Sequence, residues 1–301
     1  MLISATSTVM VLAGLLLRIS RRRLAVQVGL HGDLNGLRGW RPRNPLKRAL
    51  DLRSRMQARE PQWLRFLVLE DAIRQELFRI APQAAEQTDV LPLPVNVGEL
   101  GLVPEPRLEL PLQVGFVGQA TEAKGISSFL DVARTLKHRY GNAIEFHLIG
   151  RVPPGSDLGR FAVLDSPPTS DHLPRQDFLE RLGRQHFVFL PFQAGYYNLS
   201  ASGALLDALT WLKPIIATKL PIVVDLFARH GDIGYLCDDA RAMRATLEGV
   251  LATMDTGHYR WQVEALRAAR ATRLPEAVAR QYREILDHGF SGLLTGDASA
   301  E

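Results

Sequence analysis

An α/β fold on parallel sheets is what this sequence predicts, and three observations predict it. Short apolar runs bounded by Gly and Pro recur along the chain, the pattern of strands buried on both faces. Stretches with apolar residues at helical spacing lie between most of them. Residues 94–111 hold Pro94, Pro104, Pro106 and Pro111 with little periodicity, which is how a linker reads. The expected architecture is two βα domains, the second a doubly wound parallel sheet. The first covers 1–95, a linker covers 96–111, the second domain covers 112–273, and a last helix and tail cover 274–301.

Each element follows in order. Leu2 to Ala5 reads as a strand and Ser7 to Ser20 as a helix inside a globular domain. The apolar core of that helix, Val9 to Leu17, is well short of the roughly 20 residues a membrane span needs. Its arginines follow the apolar run, the reverse of a secretory signal. A monotopic membrane contact is the competing reading of this stretch. Residues 24–31 form a second strand ending at His31, and Asn44 to Gln57 a surface helix with Pro45 in its first turn. A strand over Trp63 to Leu69, a helix over Asp71 to Ile80 closed by Pro82, and a strand over 88–93 complete the first half.

From Leu112 the alternation is cleaner. Strands are expected over 112–118, 143–150, 161–165, 186–192, 214–218 and 233–237. A helix over Ile126 to Tyr140 carries Ile126, Phe129, Leu130, Ala133 and Leu136 on one face and stops at Gly141. Helices over Ala240 to Met254, Tyr259 to Thr272 and Pro275 to His288 close the chain, and the tail from Ser291 is expected to fray.

Composition narrows the function classes. A single cysteine, Cys237, excludes a disulfide framework and a multi-cysteine metal site, and its apolar neighbours make it a core residue. The histidines show no metal-ligand spacing. Between Arg18 and Arg59, twelve Arg or Lys face two acids, Asp33 and Asp51. The plain reading is a solvated face; the sharper one is attraction to anionic lipid headgroups. Nucleic acid is disfavoured, because the basic run lacks interleaved aromatics.

The most informative stretch is 186–218. A buried strand ending in Leu190-Pro191 leads to a polar, aromatic loop, and then to a helix over Ser202 to Leu212 capped by Ser200 or Ser202. Lys213-Pro214-Ile215-Ile216-Ala217 opens the next strand. A strand, a loop and a helix N-terminus in that order place unpaired backbone N–H groups where α/β proteins bind phosphates. The second stretch is Val114 to Gly125, where a glycine ends a strand and Lys124-Gly125 opens a helix.

This ordered set resembles the nucleotide-sugar site of GT-B glycosyltransferases of the retaining "group 1" family, whose fold is two Rossmann-like doubly wound domains; the resemblance implies that the first of them is incomplete here. The residues that carry the resemblance are Leu190-Pro191, Leu206-Asp207-Ala208-Leu209 and Lys213 to Ala217. The resemblance is best over 112–255 and fair over 1–95. It implies that Lys124 holds and neutralises the donor diphosphate, next to Gly118 and beside Gln119, which stands where the family has Arg. It implies that Asp207 takes the ribose hydroxyls, an acid one methylene shorter than the family's Glu. Leu199 stands where the family carries a further Glu near the donor sugar, leaving Asn198 or Tyr197 to touch sugar hydroxyls and Ser202 and Gly203 to cradle phosphate. His31 matches the histidine that faces the donor sugar in the family's first domain; a structural histidine is the alternative.

The function expected on this resemblance is transfer of a sugar from a nucleotide-diphosphate donor to a hydroxyl of a glycan or lipid-linked acceptor, with retention. His31 and Lys124 would act in catalysis, with no metal and no cofactor beyond the nucleotide-sugar co-substrate. A cytoplasmic protein, peripheral on the inner face of the membrane through the basic 18–59 region, fits that role. The opening strand and acceptor loop of the family's first domain are not found, so a partner or a missing amino-terminal half is expected. The competing expectation is a catalytically degenerate nucleotide-sugar-binding or partner subunit of a glycosyltransferase complex.

Overall fold

The computed structural model describes residues 2–3, 25–31, 34, 37, 43–45, 48, 52–57, 64–166, 168–194 and 199–291. They fall into two compact units: residues up to Pro94 with 199–201 and 273–291, and Val95 to 194 with Ser202–Thr272.

The first unit holds four parallel strands in the order β1 (Leu2–Ile3), β2 (Val26–Gly29), β3 (Leu64–Val68) and β4 (Thr88–Val90). Between them lie helices α1 (Leu52–Gln57), α2 (Asp71–Ile80) and α3 (Pro82–Glu86). Pro82 does follow the end of α2, but it opens α3 rather than a loop, because a proline at the first helical position gives up an N–H that has no partner there. The strand expected over 88–93 stops at Val90. The core is apolar, with Val28, Leu64, Phe66, Val68, Ile73 and Leu77 at or below 1% exposure. Arg65 and Asp89 clamp β3 to β4 with two hydrogen bonds of 2.7 Å. The helix expected over Ser7 to Ser20 lies outside the described residues, as does most of 44–51. Among the described residues no helix is long and apolar enough to cross a membrane.

The last helix, α11 (Pro275–Gly289), is numbered after the seven below and belongs to this first unit. Buried Arg273 donates to both Glu70 oxygens at 2.9 Å, and the Tyr282 hydroxyl donates to Gln27 at 2.7 Å. A buried arginine held by one nitrogen against both oxygens of a carboxylate leaves neither charge uncompensated.

The second unit is a five-stranded parallel sheet in the order β6-β5-β7-β8-β9. Its strands are β5 (Leu112–Val117), β6 (Ile144–Ile149), β7 (Phe187–Leu190), β8 (Ile215–Thr218) and β9 (Gly234–Cys237). Its helices are α4 (Val97–Leu100), α5 (Ile126–Tyr140), α6 (Arg175–Gly183), α7 (Gly203–Thr210), α8 (Pro221–His230), α9 (Ala240–Thr253) and α10 (Thr256–Ala271). Phe129 of α5 packs at 5.4 Å from Phe116 and 5.6 Å from both Phe146 and Phe189, fastening the helix to three adjacent strands. The Cys237 thiol is buried.

One expected strand is absent. Phe161 ends a 3-10 helix that begins at Leu158, and residues 162–165 turn instead of extending. They still cover the edge of β6: the Asp165 N–H donates to Phe146 O at 2.9 Å, and its carboxylate accepts the Phe146 N–H at 2.8 Å. A side chain thus satisfies the edge that another strand would have filled. Residues 94–111 are also more ordered than a plain linker, since Asn96 caps the short helix α4 by accepting the Gly98 N–H at 3.1 Å.

The order of strands places the site. From β5 the chain passes to β6 on one side and then returns to β7 on the other. The crevice outside the carboxyl ends of β5 and β7 is therefore the topological switch point, where open parallel sheets bind ligands.

Candidate functional site

Three glycines shape the loop after β5. Gly118 has φ +102° and its N–H donates to Ile149 O at 2.8 Å. Gly150, at the end of β6, crosses so close that a Cβ there would lie 2.0 Å from Gly118 O. Gly125, at φ +81°, is pressed on the end of β7: a Cβ would lie 1.8 Å from Pro191 O. Any side chain at Gly125 would collide with backbone, so glycine is what lets α5 begin beside β7. The Gln193 N–H donates to Ala123 O at 3.1 Å and ties the two loops together.

This packing delivers Lys124 to the switch point. A Cβ placed on Gly118 would lie 2.8 Å from the Lys124 Nζ, so the ammonium rests directly over the glycine. Burial pushes its pKa down. No carboxylate among the described residues pairs with it. A desolvated cation without a counter-ion is costly unless an anion arrives to meet it.

A cavity of about 310 Å³ opens beside it, lined by Gly118, Gln119, Gly150, Arg151, Arg175 and Asp207, with His172, Leu173 and Phe178 on the remaining wall. Asp207 lies on α7, whose first turn is capped by buried Ser202 accepting the Leu205 N–H at 3.4 Å. Gly203 begins that helix with open space around its Cα. Burial raises the Asp207 pKa, against the pull of Arg175 and with a further push from Glu99. The Arg175 Nη2 stands 3.3 Å from Asp207 Oδ1. The same guanidinium donates from Nε and Nη2 to buried Glu99 at 3.1 and 2.8 Å, and its carbon lies 4.9 Å from the Phe178 ring centre. Burial opposes ionisation of Glu99, but Arg175 and Asn96 outweigh it and bring its pKa below the usual value.

Gly118, Gln119 and Asp207 therefore share one cavity, Lys124 sits over its glycine wall, and Ser202 and Gly203 stand one turn from Asp207. Asn198 and Tyr197 lie outside the described residues. His31 belongs to the first unit, exposed just past the carboxyl end of β2. Leu199, at the position where an acid was expected by resemblance, is 1% exposed and joins the apolar core of the first unit together with Ala201. Among the described residues no cluster of His, Cys, Asp and Glu could hold a metal ion.

Sequence reasoning did not find Glu99, Arg151, His172 or Arg175. Two signals were available. Asn96 precedes Glu99 by three residues, the spacing of a capped helix start, and Pro174 precedes a helix with Phe178, Leu179 and Leu182 on one face.

Two Rossmann-like units on parallel sheets, the second with a glycine-shaped crevice at its switch point, make this the fold of the GT-B glycosyltransferases. A glycosyltransferase from Rickettsia africae ESF-5 superposes with a TM-score of 0.60 at 13% identity, over 88% of this chain and 70% of that one. TarM of S. aureus, crystallised as a mutant with fondaparinux, alpha-GlcNAc-glycerol and UDP, superposes at 0.53 with 14% identity over 74% of this chain. A further TarM structure superposes at 0.51 with 16% identity. This chain spans 44% and 43% of those two TarM chains, and at such identities the likeness is one of fold. No protein-family model matches the sequence, and no curated protein matches it.

Proposed function

We propose that this protein moves a sugar from a nucleoside-diphosphate donor to a hydroxyl of a glycan or lipid-linked acceptor. The observation that carries the reading is the Lys124 ammonium, desolvated and without a counter-ion among the described residues, over Gly118 at the switch point. An ammonium held there is placed to receive a diphosphate and to neutralise the charge that grows on it as it leaves. Asp207, in the adjoining cavity, is suited to accept from ribose hydroxyls. Arg151 and Arg175 bring cations to a wall where Gln119 brings none. The fold is that of enzymes of this class, and the solved TarM complex contains UDP.

In this reading the bond between the anomeric carbon and the diphosphate oxygen breaks while one forms to the acceptor oxygen. The acceptor proton passes to the departing diphosphate on the same face, which preserves the anomeric configuration. His31 contacts the donor sugar, and Lys124 with the α7 N-terminus at Ser202-Gly203 takes the role a metal ion has elsewhere. The reading includes a cytoplasmic protein touching the inner face of a membrane through its basic 18–59 region.

Titration calorimetry with UDP, GDP and ADP tests the donor site. One diphosphate should bind, and Lys124→Ala should weaken it about tenfold or more, as loss of a charge-assisted contact does. Failure of all three to bind the folded protein would sink the reading. A second reading, a subunit that binds the nucleotide sugar without turning it over, is favoured by Leu199, which is committed to an apolar core where the resemblance expects an acid. Binding without release of free sugar or transfer to any acceptor would select it.

A further inference from the structure

The segment between the two sheets carries an acid that the donor-site reading does not use. Glu99 is 7% exposed, on a helix of four residues. It accepts from Asn96 Nδ2 at 3.0 Å and from Arg175 through two N–H groups at 3.1 and 2.8 Å. Arg175 is thereby anchored, and only one further contact, at 3.3 Å, extends from it to Asp207 Oδ1. No contact among the described residues involves Asp207 Oδ2.

We propose that Glu99 is a positioning residue for nucleotide recognition: by fixing Arg175 in a bidentate pair, it holds one Asp207 oxygen and leaves the other free for a ribose hydroxyl. The proposal rests on the donor-site reading above. The chemistry follows from the fork of the guanidinium. An arginine offered two carboxylates divides its donors between them, and the partner it grips with two N–H groups sets its plane. With Glu99 in place, Arg175 presents a single edge to Asp207. That edge favours the ionised carboxylate, which burial opposes, without covering it. If Glu99 loses its charge, Asp207 is left as the only carboxylate paired with Arg175 among the described residues. The guanidinium then turns onto both of its oxygens, and the acceptor meant for the ribose is occupied. Glu99 touches no substrate; its effect is confined to how well the pocket reads the sugar of the nucleotide.

The test compares UDP, GDP and ADP with their 2′-deoxy counterparts by calorimetry on the full chain. The wild-type protein should prefer the ribonucleotide about tenfold, the value of one hydrogen bond to a charged group. Glu99→Gln should reduce that preference to less than about threefold while affinity for the deoxynucleotide stays within about twofold. Arg175→Lys, which keeps the charge but cannot fork between two acids, should likewise bring the preference below about threefold, read as the ratio alone because Arg175 itself lines the cavity, and serves if Glu99→Gln fails to fold. Loss of fold stability alone would weaken both nucleotides together and leave their ratio unchanged. A wild-type ratio retained in both variants overturns the role of Glu99 and leaves the donor site standing. A wild-type ratio near one overturns the ribose role of Asp207 and with it the role of Glu99. No binding of any diphosphate overturns the donor site itself.

Discussion

Lys213 and Lys124 lie at opposite ends of the second sheet, one before β8 at its amino edge and the other after β5 at its carboxyl edge. Burial lowers the pKa of both. Their surroundings differ in one respect. Lys213, 2% exposed, donates to Gly183 O at 2.7 Å and so ties the last turn of α6 to the start of β8. It lines a larger hollow of about 670 Å³, yet its ammonium is already committed. Lys124 has no such partner among the described residues, and its ammonium lies over Gly118 at the edge of the glycine-shaped crevice. A depressed lysine pKa is thus no mark of a site by itself, and neither is the size of a hollow. The mark is a cation that the fold has desolvated and left unmatched where a sheet reverses its winding.

The change with the largest expected effect breaks the carboxyl edge outright. Gly125→Ala would put a Cβ 1.8 Å from Pro191 O at φ +81°, so backbone must move. Denaturant titration should show a loss of at least about 3 kcal/mol, together with loss of nucleotide binding. Gly155→Ala, at φ +78° with no heavy atom within 4 Å of its Cβ, measures the conformational cost alone and should lose about 1 kcal/mol with binding intact. Equal losses in the two would mean that the approach of α5 to β7 is not what holds the loop.

The next effect sharpens the amino edge as a purely structural region. Lys213 has its pKa lowered by burial to about 8, from 10.5. The unfolded chain therefore keeps this proton at pH values where the native one has released it, and stability should rise as pH climbs from 8 to 10.5. His186, lowered by burial and then by Lys213 to about 4 from 6.5, is neutral in the native state and accepts the Gln113 N–H at 2.9 Å. Its contribution is complete above 6.5 and is lost as pH falls toward 4. Each step amounts to about 3 kcal/mol. Lys213→Met should flatten the alkaline step and His186→Asn the acidic one, read as differences from wild type in unfolding free energy across that range. Neither variant should change nucleotide affinity. A loss of binding in Lys213→Met would erase the contrast between the two lysines.

How much of this could be read from the chain depends on how local the cause was. The limits of α2 and α5 follow from residues inside or next to them: Asp71 and Ile80, or Ile126 and the Gly141 stop. The grouping of Gly118, Gln119 and Asp207 was legible because each follows a strand whose place at the carboxyl edge is set by alternation alone. Residues 161–165 were misread because their apolar composition is that of a strand, while Asp165 alone takes both edge hydrogen bonds at Phe146, one through its side chain and one through its own N–H. The pairing of Glu99 was hidden for a different reason. Its partner lies 76 positions away, and nothing near it in sequence indicates that a guanidinium will reach it. The fate of Leu199 was equally hidden, since an apolar residue in a polar loop gives no sign of which core will receive it.

The smallest expected effect concerns the one charge that the resemblance leaves missing. Gln119 is half-buried on the cavity wall, and Arg151, exposed and without a partner among the described residues, lines the same wall one strand away. The Ala120 N–H donates to Arg151 O at 2.9 Å, so the two loops are fixed to each other and both side chains belong to one surface. If Arg151 already supplies the cation, a second one at 119 adds little, because a bound diphosphate partly neutralised by Lys124 and Arg151 attracts a further charge only through well-hydrated surroundings. Gln119→Arg should then tighten diphosphate binding by no more than about threefold, and Arg151→Ala should weaken it by about fivefold, with the dependence on salt reduced in the latter. A tenfold gain from Gln119→Arg together with no loss in Arg151→Ala would reverse the assignment: the carboxyl edge would then hold a single working cation, and Lys124 would carry the contrast with Lys213 alone.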